Sequence, residues 1–427
     1  MNYRIFPSGE FIEATVDVPL SKSVSARALI MQAVSRGNVN PGAIAECRDT
    51  DVISAALSRE PRGEVDVCDS GTALRFLTAY FAATEGADIV ITGSDRLCER
   101  PISHLVDALQ SLGADIEYTV TPGHAPLHIC GRRLQGGGVA IDATVSSQYA
   151  SALLLIAPAM TGGLTLSLDG EAVSQSYIRL TMAMMHQAGI ECEIRPEGIV
   201  VPPGRYTGCT LDAEADWSAA TFWYEAVAVT GGFITVKGLT PHSAQPDSAA
   251  SAIFGRLGVT TDCDDTPGSA LLSGSPDVAP RLNIDLNDNP DMAPAIAVAC
   301  ALIGVPFKLT GLSTLPSKEC DRIAALASEL TKIGIDTEVT PHSIAWAGRR
   351  MPVLEMPVFD THGDHRMAMA FAFVAAYIPG VVIRDADVVA KSYPAFWEQL
   401  ERCGFTITDA DVPLPEATYS PQTTEET

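Results

Sequence analysis

The order of apolar and polar residues divides the chain into segments with two different periods. MNYRIFPSGEFIEATVDV alternates apolar with charged or polar positions, the two-residue period of a half-buried strand, and lacks the basic-then-apolar order of a secretory leader. Farther along, a helix-like segment that ends in an aliphatic or small residue plus glycine runs into a strand-like one. This junction recurs as LQSLGADIEY, MHQAGIECEI, FGRLGVTTD, LTKIGIDTEV and LERCGFTIT. Its glycines, Gly113, Gly189, Gly258, Gly334 and Gly404, are spaced by 76, 69, 76 and 70 residues. Each suits a helix C-cap, where glycine takes the left-handed conformation that other residues resist.

The same order repeats upstream of every marker: a helix start, an apolar helix, a β-rich run such as ADIVITG, GLTLSL or GFITVKGL, then the second helix. Ser70, Ser146, Asp216 and Asp291 open the first helices, 43, 43, 42 and 43 residues before their glycines. Helices near Ser23 to Val34 and Thr50 to Leu57 suggest a sixth, worn copy without a marker. Six such units predict two globular halves of three units each, an α/β fold and not a long solenoid. The Gly/Pro-rich stretch from Pro202 to Glu214 divides the copies equally, and Val412 to Thr427 reads as a loose polar tail.

Composition narrows the function classes. The chain has 427 residues, 47% hydrophobic and 19% charged, so its bulk is globular. Its most apolar uncharged stretch, Met292 to Phe307, is shorter than the roughly 20 residues a bilayer span needs and contains Pro294, Gly304 and Pro306. Ten scattered cysteines form no CxxC pair, which fits neither a disulfide framework nor a structural zinc site and points to a reducing cytoplasm. A net charge of −24 argues against nucleic acid or anionic lipid as a general partner. Any anionic ligand must therefore be held by local basic groups.

Those groups fall in unexpected places. A helix N-terminus carries partial positive charge and disfavours Lys and Arg. Yet Lys22 opens SKSVSARALIM, Arg100 opens RPISHLVDAL, Lys318 opens KECDRIAAL, Arg366 lies in DHRMAMAFAF, and Lys391 opens KSYPAFWEQL. One such residue is ordinarily a solvated surface charge. Five in a chain poor in cations predict external anions held jointly by side chains and helix ends. Ser70-Gly71-Thr72, Ser146-Ser147-Gln148 and Ser174-Gln175-Ser176-Tyr177 add hydroxyls and backbone N–H groups, though each serine taken singly reads as a cap. Asp291 and Glu319 stand beside the cations as candidates for proton transfer, with an N-cap and a first-turn dipole partner as the plainer alternatives. The sequence HGDH, His362 to His365, has a metal-like spacing but no further ligand cluster in the sequence, and no metal is expected.

Nine blocks, SKSVSARALI, SGTALRFLTAY, RLCERPISHLVDALQSLGA, SSQYASALLLIAP, VSQSYIRLTMAMM, PDMAPAIAVACAL, KECDRIAALASEL, DHRMAMAFA and VVAKSYPAFWEQL, resemble in order the signature segments of the 5-enolpyruvylshikimate-3-phosphate synthase family, from about Val18 to Phe405. The resemblance implies a two-domain inside-out α/β barrel, each domain three βαβαββ repeats about a pseudo-threefold axis. It implies an N-terminal domain of residues 20–213 and a C-terminal domain of residues 1–19 and 214–427. It also implies transfer of the enolpyruvyl group of phosphoenolpyruvate to the 5-hydroxyl of shikimate 3-phosphate, a step of aromatic amino acid biosynthesis, by a cytoplasmic monomer without cofactor or metal. Carried over residue by residue, Lys22, Ser23, Arg27, Ser146, Ser147, Gln148, Ser174, Tyr177, Asp291 and Lys318 match shikimate 3-phosphate contacts. Lys22, Gly71, Arg100, Gln148, Arg322, Arg366 and Lys391 match phosphoenolpyruvate contacts. Lys22, Asp291 and Glu319 match the proton-transfer set.

The pattern is not complete. Leu20 stands where the family commonly has glycine, Ala26 where it has asparagine, Asp69-Ser70 before Gly71 where it has smaller or amide residues, and Thr314 to Ser317 differ before Lys318. The alternatives are UDP-N-acetylglucosamine enolpyruvyl transferase, whose reactive-cysteine loop before an Arg-Pro is absent around Cys98, and a non-catalytic anion-binding relative.

Overall fold

One strand arrangement recurs in five four-stranded sheets of the computed structural model, which describes all residues except 8, 10, 143, 145, 171, 172, 241, 264–267 and 413–427. With strands counted in chain order, and the N-terminal strand Tyr3–Phe6 counted last in the sheet it joins, the first strand of each sheet runs parallel to the second. The second pairs antiparallel with the fourth, and the fourth with the third. Arg62–Asp66, Asp88–Thr92, Asp115–Tyr118 and Leu127–Cys130 form one such set. Gly137–Asp142, Leu164–Asp169, Glu193–Arg195 and Gly198–Val201 form the next. A parallel pair, Val39–Asn40 with Cys209–Thr210, is what remains of a sixth sheet, so the worn copy is present.

The N-terminal residues complete sheets built mostly from the far end of the chain. Ile12–Asp17 lies parallel to Gly232–Lys237, and Tyr3–Phe6 sits between Val381–Ile383 and Thr406–Asp409. Two hydrophobic cores follow. One gathers buried residues from Val24 to Ala213, the other Ile5 to Val16 with Ala215 to Phe405.

At each core lies a trio of helices in mutual contact. Lys22–Val34, Gly71–Ala82 and Ser147–Ile156 form the first trio, and Trp217–Thr230, Ala293–Ile303 and His365–Ala372 the second. These helices are apolar nearly all round because they are surrounded: Leu153, Leu154, Leu155 and Ile156 are all fully buried. Each such side chain contributes about 1.5–3 kcal/mol by leaving water. The sheets form the outer layer.

The glycine markers behave as the repeat requires. All five have φ between +75° and +100°. Gly113, Gly189 and Gly404 follow the C-caps Leu112, Ala188 and Cys403 directly. Gly258 differs: it lies inside the strand Leu257–Cys263, at a register irregularity between Leu257 and Val259. Ser70, Ser146 and Asp216 cap their helices through side-chain oxygens. Asp291 does not; it lies within the 3-10 turn Pro290–Met292, because Pro290 and Pro294 shift the α-helix to begin at Ala293. Of the expected polar tail, residues 413–427 lie outside the described residues.

Candidate active site

All six core helices point their N-termini at one cavity of about 120 Å³ between the two halves. Lys22 and Ser23, Gly71 and Thr72, Ser147 and Gln148 line it from one side. Ser218 and Ala219, Asp291 in the turn leading into Ala293, and His365 and Arg366 line it from the other. Six partial positive charges converge there, before any side chain is counted. Contacts between the halves border the space. Arg96 donates to the carbonyls of Lys318 and Glu319, Lys391 Nζ donates to the Asp69 carbonyl at 3.1 Å, and Arg179 pairs with Asp288 at 3.2 Å.

The cations divide into two groups. Five are paired with carboxylates: Lys22 with Asp49 at 3.0 Å, Lys318 and Arg366 with Asp291 at 3.2 and 3.6 Å, and Lys391 with Glu319 at 2.8 Å. The fifth, Arg322, is almost wholly buried and touches Asp364, Asp291 and Glu319 at 2.5, 2.6 and 2.8 Å. Arg27, Arg75 and Arg100 make no ion pair among the described residues. Arg27 donates instead to the Thr181 hydroxyl, the Ser151 hydroxyl and the Ser23 carbonyl. Burial pulls its guanidinium down to about 10, still charged at neutral pH. Arg100 is lowered to about 10 by burial and then by the neighbouring Arg75. The Nε atoms of both Arg75 and Arg100 are buried without a partner among the described residues. Uncompensated buried cations that meet at a helix N-terminus make a site for an anion.

The backbone positions this pair by close approach. A Cβ added to Gly71 would fall 2.6 Å from Arg75 Nη1 and 2.8 Å from Arg100 Nη1. Arg75 Nη1 also donates to the Gly71 carbonyl at 2.9 Å, and its guanidinium lies over the Tyr149 ring. Gln148 reaches Thr72, with Nε2 donating to the hydroxyl at 3.0 Å.

Asp291 and Glu319 are both ionised. Burial alone would raise the Asp291 carboxyl, but Lys318, Arg366 and Arg322 hold it well below the ordinary carboxylate range. Burial is likewise overcome at Glu319, by Lys391 and Arg322 first. Burial lowers the Lys318 ammonium despite Asp291; at Lys22 burial is again the largest single influence, but Asp49 and other negative neighbours including Glu319 together overcome it and raise the ammonium. His365 is held neutral, by burial and then by Lys22.

Every residue expected at the site from sequence lines the cavity except Glu319's partner Lys391, which stands behind it. The helix-start argument needs correction at three of its five cations. Arg100 precedes Pro101, and the helix begins at Ser103, because the residue before proline is turned away from the helical region. Lys318 follows a 3-10 turn; Asp321 caps the next helix by accepting from Ile323 and Ala324, which makes Arg322 its first residue. Lys391 ends the 3-10 segment Ala386–Lys391, and beyond Pro394 the helix starts only at Phe396. Glu319 is therefore no first-turn residue, and Asp291 no N-cap. Ser146 does cap its helix, whereas Ser174, at φ 53°, makes no side-chain cap bond.

Among the charged lining residues, Asp49 and Arg75 escaped the sequence reading, whereas Thr72 was named in it. The signal for Arg75 was present as a lone cation inside the apolar helix GTALRFLTAYFA. HGDH does not gather: His362 Nε2 pairs with Glu329 at 3.0 Å, and Asp364 caps a helix. Among the departures, Leu20 bridges to Ala215 where the chain passes between the halves, Ala26 is fully buried, and the Asp69 carboxylate accepts from the Ser94 hydroxyl. Cys98 gives its thiol to the Gly93 carbonyl and is no wall of the cavity.

A family model for EPSP synthase (3-phosphoshikimate 1-carboxyvinyltransferase) matches residues 58–400. A 3-phosphoshikimate 1-carboxyvinyltransferase of Bacteroides fragilis is 43% identical over 399 residues, covering 93% of this chain and 96% of that protein. One from Syntrophobacter fumaroxidans is 34% identical, covering 92% and 97%. The solved structure of EPSP synthase from Acinetobacter baumannii superposes with a TM-score of 0.74 over 96% of this chain and all of that one, at 22% identity, and so shares the two-domain α/β fold. With that identity, that coverage and the profile match across most of its length, the chain belongs to the EPSP synthase family.

Proposed function

We propose that the interdomain cavity transfers the enolpyruvyl group of phosphoenolpyruvate to the 5-hydroxyl of shikimate 3-phosphate and releases phosphate. One observation carries this reading: two ionised carboxylates, Asp291 and Glu319, share one buried guanidinium inside a ring of cations and helix N-termini. Binding alone would need the cations; it would not need the carboxylates among them.

In this reading Ser23, Arg27, Ser146, Ser147, Gln148, Ser174, Tyr177 and Lys318 hold shikimate 3-phosphate, and Gly71, Arg100, Arg322, Arg366 and Lys391 hold phosphoenolpyruvate, with Lys22 and Gln148 between them. Asp291 accepts the proton of the 5-hydroxyl as its oxygen bonds to C2 of phosphoenolpyruvate, and Lys22 assists. Glu319, protonated in the complex, delivers its proton to the methylene carbon, making a methyl group and a tetrahedral intermediate. Elimination follows: Glu319 takes back a methyl proton, the C2–O bond to phosphate breaks, and phosphate leaves with the proton that Asp291 had accepted, which returns both carboxyls to their starting states. Fixed cations around both phosphates supply orientation and charge stabilisation.

The chain divides, on this proposal, into residues 20–213 and residues 1–19 with 214–427. The resemblance to the family carries the proposal that it acts as a monomer. A cytoplasmic setting is supported by ten free cysteines and, among the described residues, by the lack of any helix long and apolar enough to cross a membrane. A phosphate-release assay with phosphoenolpyruvate alone, with shikimate 3-phosphate, and with UDP-N-acetylglucosamine tests the reading. Turnover is expected only with shikimate 3-phosphate. Turnover with the UDP-sugar, or with neither acceptor, overturns it.

A further inference from the structure

On the outer layer of the N-terminal half, Asp88 opens the strand Asp88–Thr92 directly opposite Cys130, the last residue of Leu127–Cys130. Opposed residues share a sheet face, and so does His128, two positions before Cys130. His128 Nε2 lies 2.8 Å from Asp88 Oδ1 and 3.9 Å from Cys130 Sγ. One donor atom from each of the three falls within 4.8 Å of the others, and among the described residues no other three His, Cys, Asp or Glu side chains meet in this way.

A Cys–His–Asp group invites comparison with a nucleophilic triad, and the geometry argues against one. A triad needs the thiol on one ring nitrogen and the carboxylate on the other. Here the same nitrogen faces both. A carboxylate oxygen, an imidazole nitrogen and a thiol sulfur within 4.8 Å of one another make a donor set that a transition-metal ion can take. We propose that Asp88, His128 and Cys130 form a surface site for a divalent transition-metal ion of the zinc class, with solvent completing the coordination.

Bonds of about 2.0 Å to nitrogen or oxygen and about 2.3 Å to sulfur place tetrahedral donor pairs roughly 3.2–3.6 Å apart. The His128–Asp88 distance opens to reach that range and the His128–Cys130 distance closes. Asp88 is exposed and the other two are half-buried, so small side-chain rotations suffice and an ion can enter. The mixed sulfur and nitrogen set selects zinc or cobalt over magnesium or calcium. Glu117 lies opposite His128 on the next strand and adds negative potential, while Asp115, opposite Cys130, is paired with Arg132. Coordination converts the Cys130 thiol to a thiolate, and its proton goes to solvent.

This site is separate from the proposed reaction. Asp88 stands at the opposite end of its strand from Thr92, roughly 13 Å away along the strand, and it is Thr92 that leads into the loop carrying Arg100. The ion would clamp two neighbouring strands of the outer sheet.

Cobalt titration of the chelator-treated full chain tests the proposal. Co²⁺ is expected to give a near-ultraviolet thiolate-to-cobalt absorption that saturates at one equivalent and is bleached by Zn²⁺. Cys130→Ser should abolish the band although nine other cysteines remain, and His128→Asn should weaken Co²⁺ binding by at least about tenfold. Zn²⁺ should raise the thermal midpoint of the unsubstituted protein and of neither variant. Absence of the band, or its persistence in folded Cys130→Ser, overturns the site.

Discussion

Arg322 Nη1 lies 2.6 Å from Asp291 Oδ1, and the same guanidinium extends to Glu319 and to the fully buried Asp364. The base and the acid of the proposed reaction are thus tied to one cation that also anchors the core beneath them. Removing one partner of such a buried network leaves unpaired charge and costs about 3–5 kcal/mol. Arg322→Ala should therefore lower the denaturant midpoint substantially as well as abolish turnover. Arg322→Lys, which cannot bridge three carboxylates with one compact ammonium, should also lose activity. Stability equal to that of the unsubstituted protein in Arg322→Ala would contradict the anchoring role.

Loss of either carboxylate of the proposed proton-transfer pair should be selective for chemistry. Asp291→Asn and Glu319→Gln keep shape and hydrogen bonding but remove the titrating group, and each should reduce kcat by about 10²–10⁴-fold. Steady-state kinetics on folded variants decides. A change confined to KM would reassign the residue to substrate binding.

The proposed reaction requires Glu319 to change protonation during the cycle. In the free protein Lys391 and Arg322 hold it ionised against the cost of burial. Phosphoenolpyruvate brings negative charge to those same cations, which reduces their pull and raises the carboxyl towards protonation. Formation of the ternary complex is thus expected to take up a proton near neutral pH. Calorimetry in two buffers of different ionisation enthalpy measures it, and Glu319→Gln should remove the uptake. Equal heats in both buffers for the unsubstituted protein would refute the coupling.

Gly71 sets the spacing of the Arg75 and Arg100 guanidiniums. A Cβ there would intrude within 2.8 Å of both. Overpacking of this kind costs about 1–3 kcal/mol, and if it appears in anion binding the KM for phosphoenolpyruvate should rise about tenfold or more. The KM for shikimate 3-phosphate should change much less. Equal effects on both substrates would place the disturbance elsewhere.

Glu225 is a buried carboxyl in the helix Trp217–Thr230, and neither of its oxygens has a hydrogen-bond partner among the described residues. Burial raises its pKa well above the ordinary value, so the folded state holds a proton that the unfolded chain releases. The stability contribution is present below the unfolded value and is lost as pH rises from there towards the folded value. The slope in that window is about −1.4 kcal/mol per pH unit from this group. Glu225→Gln should flatten the decline and be more stable than the unsubstituted protein at pH 8 by chemical denaturation. An unchanged pH slope would refute a neutral Glu225.

Much of the fold could be read along the chain because its signals are local. A glycine that must adopt positive φ is visible at Gly113, Gly189 and Gly404 whatever surrounds it, and the apolar run in SALLLIAPA is a buried helix by composition alone. The helix starts were legible where a side chain caps its own backbone, as at Ser70 and Asp216. They were misplaced at Lys318 and Lys391, where Asp321 and Pro394 decide the boundary several residues later.

The charges of the site were nameable one by one, but their sum was not. Lys22, Arg100, Lys318, Arg366 and Lys391 read from sequence as cations short of counterions; the fold supplies Asp49, Asp291 and Glu319 to four of them and, among the described residues, no ion pair to Arg100. The sequence by itself determined the repeat, the two-half architecture, the family and the residue types brought to the cavity, because these rest on spacing and local backbone preference. Only the tertiary structure decided which carboxylate meets which cation, that Arg75 joins Arg100 over Gly71, and that Asp88 meets His128 and Cys130. Those pairings lie between strands and helices distant in sequence, and an electrostatic interaction depends on separation and burial, which the order of residues does not contain.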